Sequence, residues 1–152
     1  TVQASNFTAS QNGETSSLNG GMTLLLATND GVSFETTVSG TSIVVTGNGA
    51  SATLSAFQLQ STHDDSSGAY TLDIKATISS SEIGGAVTVV TDIPFTGVEP
   101  NDPSDGRATI TGANNTSVTL VAMSDGVAVQ LYVDEDGDGD TDTMIDTRWD
   151  AL

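Results

Sequence analysis

Residues 71–78 run Thr71-Leu72-Asp73-Ile74-Lys75-Ala76-Thr77-Ile78, and this octet decides the fold. Leu72, Ile74, Ala76 and Ile78 occupy every second position, with Thr71, Asp73, Lys75 and Thr77 between them. A period of two, with one apolar and one polar set, belongs to a strand that lies between a core and water. The same alternation recurs outward in both directions. Met22, Leu24 and Leu26 share one parity, as do Val32, Phe34, Thr36 and Val38. Near the end, Val127, Val129, Leu131 and Val133 alternate with Ala128, Gln130 and Tyr132. No long stretch keeps the period of an amphipathic helix.

The punctuation between these runs agrees with the octet. Asn29-Asp30-Gly31 and Ser124-Asp125-Gly126 supply the positive φ angles that tight hairpin turns demand. Gly20-Gly21, Asn48-Gly49 and Gly84-Gly85 mark further reversals or bulges. The expected fold is all-β, with roughly ten antiparallel strands in a sandwich or an extended meander. Phe7, Phe34, Phe57 and Phe95 are expected in its core.

Composition supports the same class. The chain has 152 residues with 36% apolar and 5% aromatic content, and Thr, Ser and Gly make up the deficit. Thr and Ser suit the wet face of a sheet, and Gly suits frequent turns. Three basic residues, Lys75, Arg107 and Arg148, stand against twenty acids, for a formal charge of -17. Such a chain repels nucleic acid and anionic membrane surfaces, so its expected partners are cations. With no cysteine, disulfides, thiol catalysis and thiolate metal sites are excluded together. No apolar run has the length of a membrane span. A start at Thr1, without a signal peptide, fits a processed mature protein or a fragment.

Two patterns organise the chain. Ser5-Asn6-Phe7, followed by strands from Met22 and Val32, resembles Ser55-Ala56-Phe57, followed by strands from Tyr70 and Ala86. Residues 1–98 are thus an antiparallel region that reads as two copies of a three-stranded unit. Residues 99–106, with two prolines and several turn formers, are linker-like. Residues 107–152 form a hairpin plus an acidic loop, packed with the rest as one domain.

Eight of the twenty acids lie between Asp134 and Asp150. Asp134, Asp136 and Asp138 hold positions 1, 3 and 5 of a D-x-D-x-D-G pattern, with Gly139 at the sharp bend. A hard divalent cation takes about six to eight oxygens near 2.4 Å, and carboxylates on alternate residues of a tight loop converge to supply them. Asp140 would add its backbone carbonyl and Asp142 a direct or water-mediated ligand. Asp146 would follow as a further carboxylate. The expected cofactor is calcium, held in a strand-loop-strand site by Asp134, Asp136, Asp138, Asp140, Asp142 and Asp146. Magnesium is disfavoured, since it dehydrates reluctantly. An EF-hand proper closes with Glu at position 12, where this chain has Ile145, and it is flanked by helices. The loop resembles instead the EF-like calcium loops of thrombospondin type 3 repeats and dockerin modules.

A wider resemblance, from about Gly68 to Leu152, rests on residues 91–97 (TDIPFTG), 106–114 (GRATITGAN), the acidic loop and residues 146–152 (DTRWDAL). These stretches are similar to uncharacterised secreted proteins and lipoproteins of Gram-negative, often marine, bacteria. The resemblance implies export and a calcium-bearing β-fold, and no mechanism.

Other residues carry less. His63, the only histidine, stands in a polar stretch with Asp64 and Asp65. With one His and no Cys, a nucleophilic triad is hard to assemble. Trp149 is expected to cover the core beneath the calcium loop. The expected role is therefore non-catalytic and extracellular or at the cell surface. It is that of a structural or assembly component, such as a filament or matrix subunit, self-associating by exchange of a detached N-terminal strand. An extracellular carbohydrate- or ligand-binding module is the alternative, and a hydrolase ranks third.

Overall fold

A computed structural model describes residues 1–11, 14–28, 30–47 and 49–152. Asn29 and Asn48, named above as turn formers, lie outside the described residues. The described residues form a single ten-stranded antiparallel sheet in which every strand pairs with its sequence neighbours. The strands are β1 (Val2–Gln11), β2 (Glu14–Thr28), β3 (Ser33–Gly47), β4 (Ala50–Asp64) and β5 (Ala69–Ser80). They continue as β6 (Gly85–Val98), β7 (Asp105–Thr111), β8 (Ser117–Ala122), β9 (Ala128–Asp134) and β10 (Thr143–Arg148). Of the two arrangements open from sequence, the sheet is the meander.

The alternation fixes which side chains share a face. Leu54 faces Ile78, Ile78 faces Val87, and Ala76 faces Val89. Val89 continues to Ile110, Ile110 to Val118, and Val118 to Val133. Toward the amino terminus the same face carries Leu59, Val38 and Leu24, and then Val45, Leu18 and Phe7. The opposite face holds Thr, Ser, Gln and charge: Thr62 bonds Thr71 across β4 and β5 at 2.7 Å, and Thr109 donates to Asp92 at 2.7 Å. One face of the sheet is thus mainly apolar in every strand, with Thr36, Ser61 and His63 as polar interruptions, as a period of two requires.

Long strands of this kind need a bend, and bulges provide it. The register slips between Ala4 and Phe7 in β1 and between Ser55 and Gln58 in β4, in each case with one extra residue against the next strand. The Ser5-Asn6-Phe7 and Ser55-Ala56-Phe57 motifs fall on these two bulges, so the internal similarity marks matching kinks. Ala56 takes a φ of 48° there, and Phe57 turns onto the apolar face over Gly40. A Cβ at Gly40 would collide with the Phe57 ring, so glycine makes room for it.

The sheet buries little of its apolar face. Among the described residues the buried hydrophobics are Phe57, Ala76, Phe95, Ala108, Ala122 and Val129. Phe95, Ala108 and Ala122 form a cluster against which Leu72, Leu120 and Trp149 pack. Trp149 meets Phe95 edge-on at 5.7 Å, and its indole N–H donates to the Pro103 carbonyl at 3.2 Å. Trp149 therefore does not lie beneath the acidic loop. β10 runs antiparallel to β9 and carries the chain from Thr143, opposite Val133, to Arg148, opposite Ala128. That path delivers the indole to the far end of the hairpin. The linker-like residues 99–106 are tied down at the same end: Tyr70 donates to the Asn101 carbonyl at 3.0 Å, and Ser104 N–H to Thr96 at 2.9 Å. Phe7 departs from the core expectation too. It is 61% exposed, because β1 is an edge strand with no second layer above it. Nor is β1 detached, since it pairs with β2 from Val2 to Gln11.

Two measurements check this description. Trp149→Ala should cost about 2 kcal/mol in urea unfolding, less than the ~3–5 kcal/mol of a fully buried aromatic, because the indole is only half-buried. Asp64 closes the β4–β5 turn by accepting from the backbone N–H groups of Ser66 and Ser67, each at 2.9 Å, and from both hydroxyls. These bonds, the Ser66 hydroxyl foremost, lower its carboxyl from 3.8 to about 2. A depressed folded value contributes stability that is complete above 3.8 and lost as pH falls through about 2. Asp64→Ala should thus be less stable than the parent above that window and converge with it at the acid end of a pH series of unfolding curves.

Candidate metal centre

The acidic loop is the connection between β9 and β10, residues 135–142. Asp134 ends β9 and is only 8% exposed, the one buried charged side chain among the described residues. Its two oxygens are held from the loop side: Gly137 N–H donates to Oδ1 at 2.7 Å and Gly139 N–H to Oδ2 at 3.0 Å. The next two acids repeat a smaller version. Asp138 N–H donates to Asp136 Oδ1 at 3.1 Å, and Asp140 N–H to Asp138 Oδ1 at 2.8 Å. Each short side chain folds back on backbone two residues ahead, which is the local habit of Asp in turns. The loop is wound by its own carboxylates.

The result brings one carboxylate oxygen each from Asp134, Asp136 and Asp138 within 4.8 Å of one another, a set that could hold a metal ion. Asp142 closes the loop. Its N–H donates to the Val133 carbonyl at 2.9 Å, and its Oδ2 accepts from Glu135 N–H at 2.7 Å. Asp140 takes part through the N–H already described. Asp146 is elsewhere: it sits three residues past Thr143 in β10, about 10 Å along the strand. There it pairs opposite Gln130 and accepts from the Gln130 amide at 2.8 Å. The structure thus gathers Asp134, Asp136 and Asp138, keeps Asp142 and Asp140 in the same loop, and separates Asp146 from them.

Two carboxylates at about 5 Å repel by roughly 3 kcal/mol at the effective dielectric of a protein surface, and salt reduces this for the exposed members. Neither Lys75 nor Arg107 nor Arg148 makes an ion pair with any of the three. A cation held there would supply the missing counter-charge, and three carboxylate oxygens from alternate residues are a hard-ion donor set.

One contact was not legible in the sequence. Gly137 has a φ of +79°, and a Cβ there would strike the Asn114 carbonyl. The loop leans on the 3-10 turn Ala113–Asn115 that joins β7 to β8, where Asn114 and Asn115 also adopt positive φ, 55° and 63°. The Asn-Asn pair was the signal, since Asn tolerates this backbone region better than other side chains. Nothing in its spacing points to the loop.

His63 forms no cluster with these acids. Its ring lies 3.2 Å from Asp65 and 3.8 Å from Glu99, at the end of β4. No known protein family, curated protein or solved structure matches the chain. The site rests on its own geometry.

The two loop glycines separate backbone strain from collision. Gly139 also has positive φ, at +93°, but a Cβ there would meet nothing within 4 Å. Gly139→Ala should cost only the backbone term, about 1 kcal/mol. Gly137→Ala should cost at least twice that, because the Asn114 turn must shift as well. Urea unfolding in EDTA measures both without any contribution from metal.

Proposed function

We propose that the protein is a calcium-stabilised structural β-protein of the cell exterior that assembles with further copies. The observation that carries the calcium half is the convergence of Asp134, Asp136 and Asp138 around a buried first carboxylate with no basic partner. Ca2+ fits better than Mg2+, because a flexible loop of carboxylates and carbonyls suits an ion of high and variable coordination. Asp142 and the carbonyl of Asp140 complete the set from within the loop. Asp146, bonded to Gln130, serves the site from outside by bracing the hairpin that presents it. Extracellular sites of this construction bind at about 0.1–1 mM, so calcium outside cells fills them and the ion is structural rather than a signal.

The assembly half is supported by the sheet's shape. β1 and β10 are open edges at the two ends of the order. An edge strand leaves a row of backbone donors and acceptors for another strand to pair with. A non-catalytic reading is supported by the lone His63 bound to Asp65 and Glu99, and by the lack of any cysteine.

Calcium at roughly ten times its Kd should add about 1.4 kcal/mol of stability, which raises the melting temperature of a chain this size by several degrees. EDTA should reverse the rise. Replacing Asp134 and Asp138 together with Ala should abolish calcium dependence and leave a protein that melts like the EDTA form. A melting curve indifferent to calcium, together with no heat of binding in a calcium titration, would sink the proposal.

A further inference from the structure

The strand register sorts charge as sharply as it sorts hydrophobes. Glu35, Asp73 and Lys75 point to the polar face, as their pairings with Thr62, Gln60 and Gln58 require. The other acids of β1–β5 and their connections lie at strand ends or in turns, among them Glu14, Asp30, Asp64 and Asp65. Among the described residues, the apolar face of these five strands therefore carries charge-bearing residues only at its ends, Glu14 at the first position of β2 and His63 near the last position of β4. It is also bare. Leu24 is 53% exposed, Leu26 68%, and Val2, Phe7, Val45 and Ile78 stand on the same face.

The whole chain shows the consequence. Its accessible surface is 9348 Å², whereas a compact monomer of this mass exposes about 7,200 Å². The excess, about 2,000 Å², matches what one partner of an obligate dimer buries. Five strands, the longest spanning about 50 Å, offer a patch of roughly 1,200 Å² in plan, above the ~800 Å² per partner of a standard interface.

We propose that the apolar face of β1–β5 binds a second copy of this chain, face to face, as a two-layer β-sandwich dimer. A lone sheet with one apolar face must bury it against another layer. A second copy offers the same patch in an isologous pairing. Both chains carry a charge of -17, and this approach keeps the acids of β1–β5 on outward faces, strand ends and turns. β1–β5 have the length to cross a bilayer. A sheet spans one only as a closed barrel, however, and β7, β8, β9 and β10, at six or seven residues, are too short to complete it. The inference deepens the assembly reading above but uses neither the metal nor the edges.

The test combines mass with face-specific protection. Sedimentation of the full chain should give twice the monomer mass in calcium and in EDTA alike. Since the chain lacks cysteine, Leu26→Cys and Leu25→Cys place a lone thiol on the apolar and the opposite face in turn. A bulky maleimide should label the Leu25→Cys protein at least tenfold faster than the Leu26→Cys protein. Leu24→Asp with Leu26→Asp should yield monomers, and Leu25→Asp should stay dimeric. If the double variant fails to fold, the labelling ratio still decides. Monomers at every concentration, polymers with Leu26→Cys labelled as fast as Leu25→Cys, or a detergent-dependent solubility would each overturn the dimer. A dimer whose melting ignores calcium would sink the metal reading alone, and a calcium-stabilised monomer the dimer alone.

Discussion

Each strand of this protein is held by backbone hydrogen bonds to its two neighbours and by side-chain contact along one face. That arrangement works only if the alternation of apolar and polar residues survives every hairpin, because a slip of one residue would turn a strand's hydrophobes into water. Four kinds of device protect it. Turns such as the one capped by Asp64 set the register at the ends. Bulges at Ala56-Phe57 and in β1 bend the sheet without inverting the pattern beyond them. Hydroxyl pairs such as Thr62 with Thr71 stitch the wet face. Glycine at position 40 leaves the space that the Phe57 ring occupies beside the bend.

The acidic loop is the point where this economy of neighbours runs out. β10 is a short final strand with β9 alone beside it. Its connection is longer than a tight turn and rich in like charge, so the hairpin has the least reason to stay shut. Its ends are fastened separately. At one end the loop's carboxylates fold onto its own N–H groups and offer a cradle for a cation. At the other, Trp149 crosses to Phe95 and Pro103. The small residues beneath it, Ala108 and Ala122, make room for an indole that arrives from a strand three places away.

The fold class was legible because a period of two is a local property. Residues 71–78 announce a half-buried strand without knowledge of any partner, and the turn formers announce where each strand ends. The choice between sandwich and meander was not local: it depends on which strands meet, and alternation is identical in both. The acidic cluster was legible for a similar reason, since Asp134, Asp136 and Asp138 are close in sequence and in space. Asp146 stands apart from them because the strand that begins at Thr143 carries it away, which distance along the sequence does not show. The expected place of Trp149 failed for the same reason, and the Gly137–Asn114 contact was hidden because it joins two separate connections.

The strictly sequential order of strands has one more consequence, for how the chain acquires its shape. No strand waits for a distant segment to arrive, so loop-closure entropy is small at each step and contact order is low for an all-β protein. Structure can start at any hairpin and spread outward, as in repeat proteins, and each new strand finds its template already in place. Growth from the amino terminus thus suits a chain delivered end first. By the same logic the β9–β10 hairpin, which must close a connection of like charges, is the slowest tooth of that zipper.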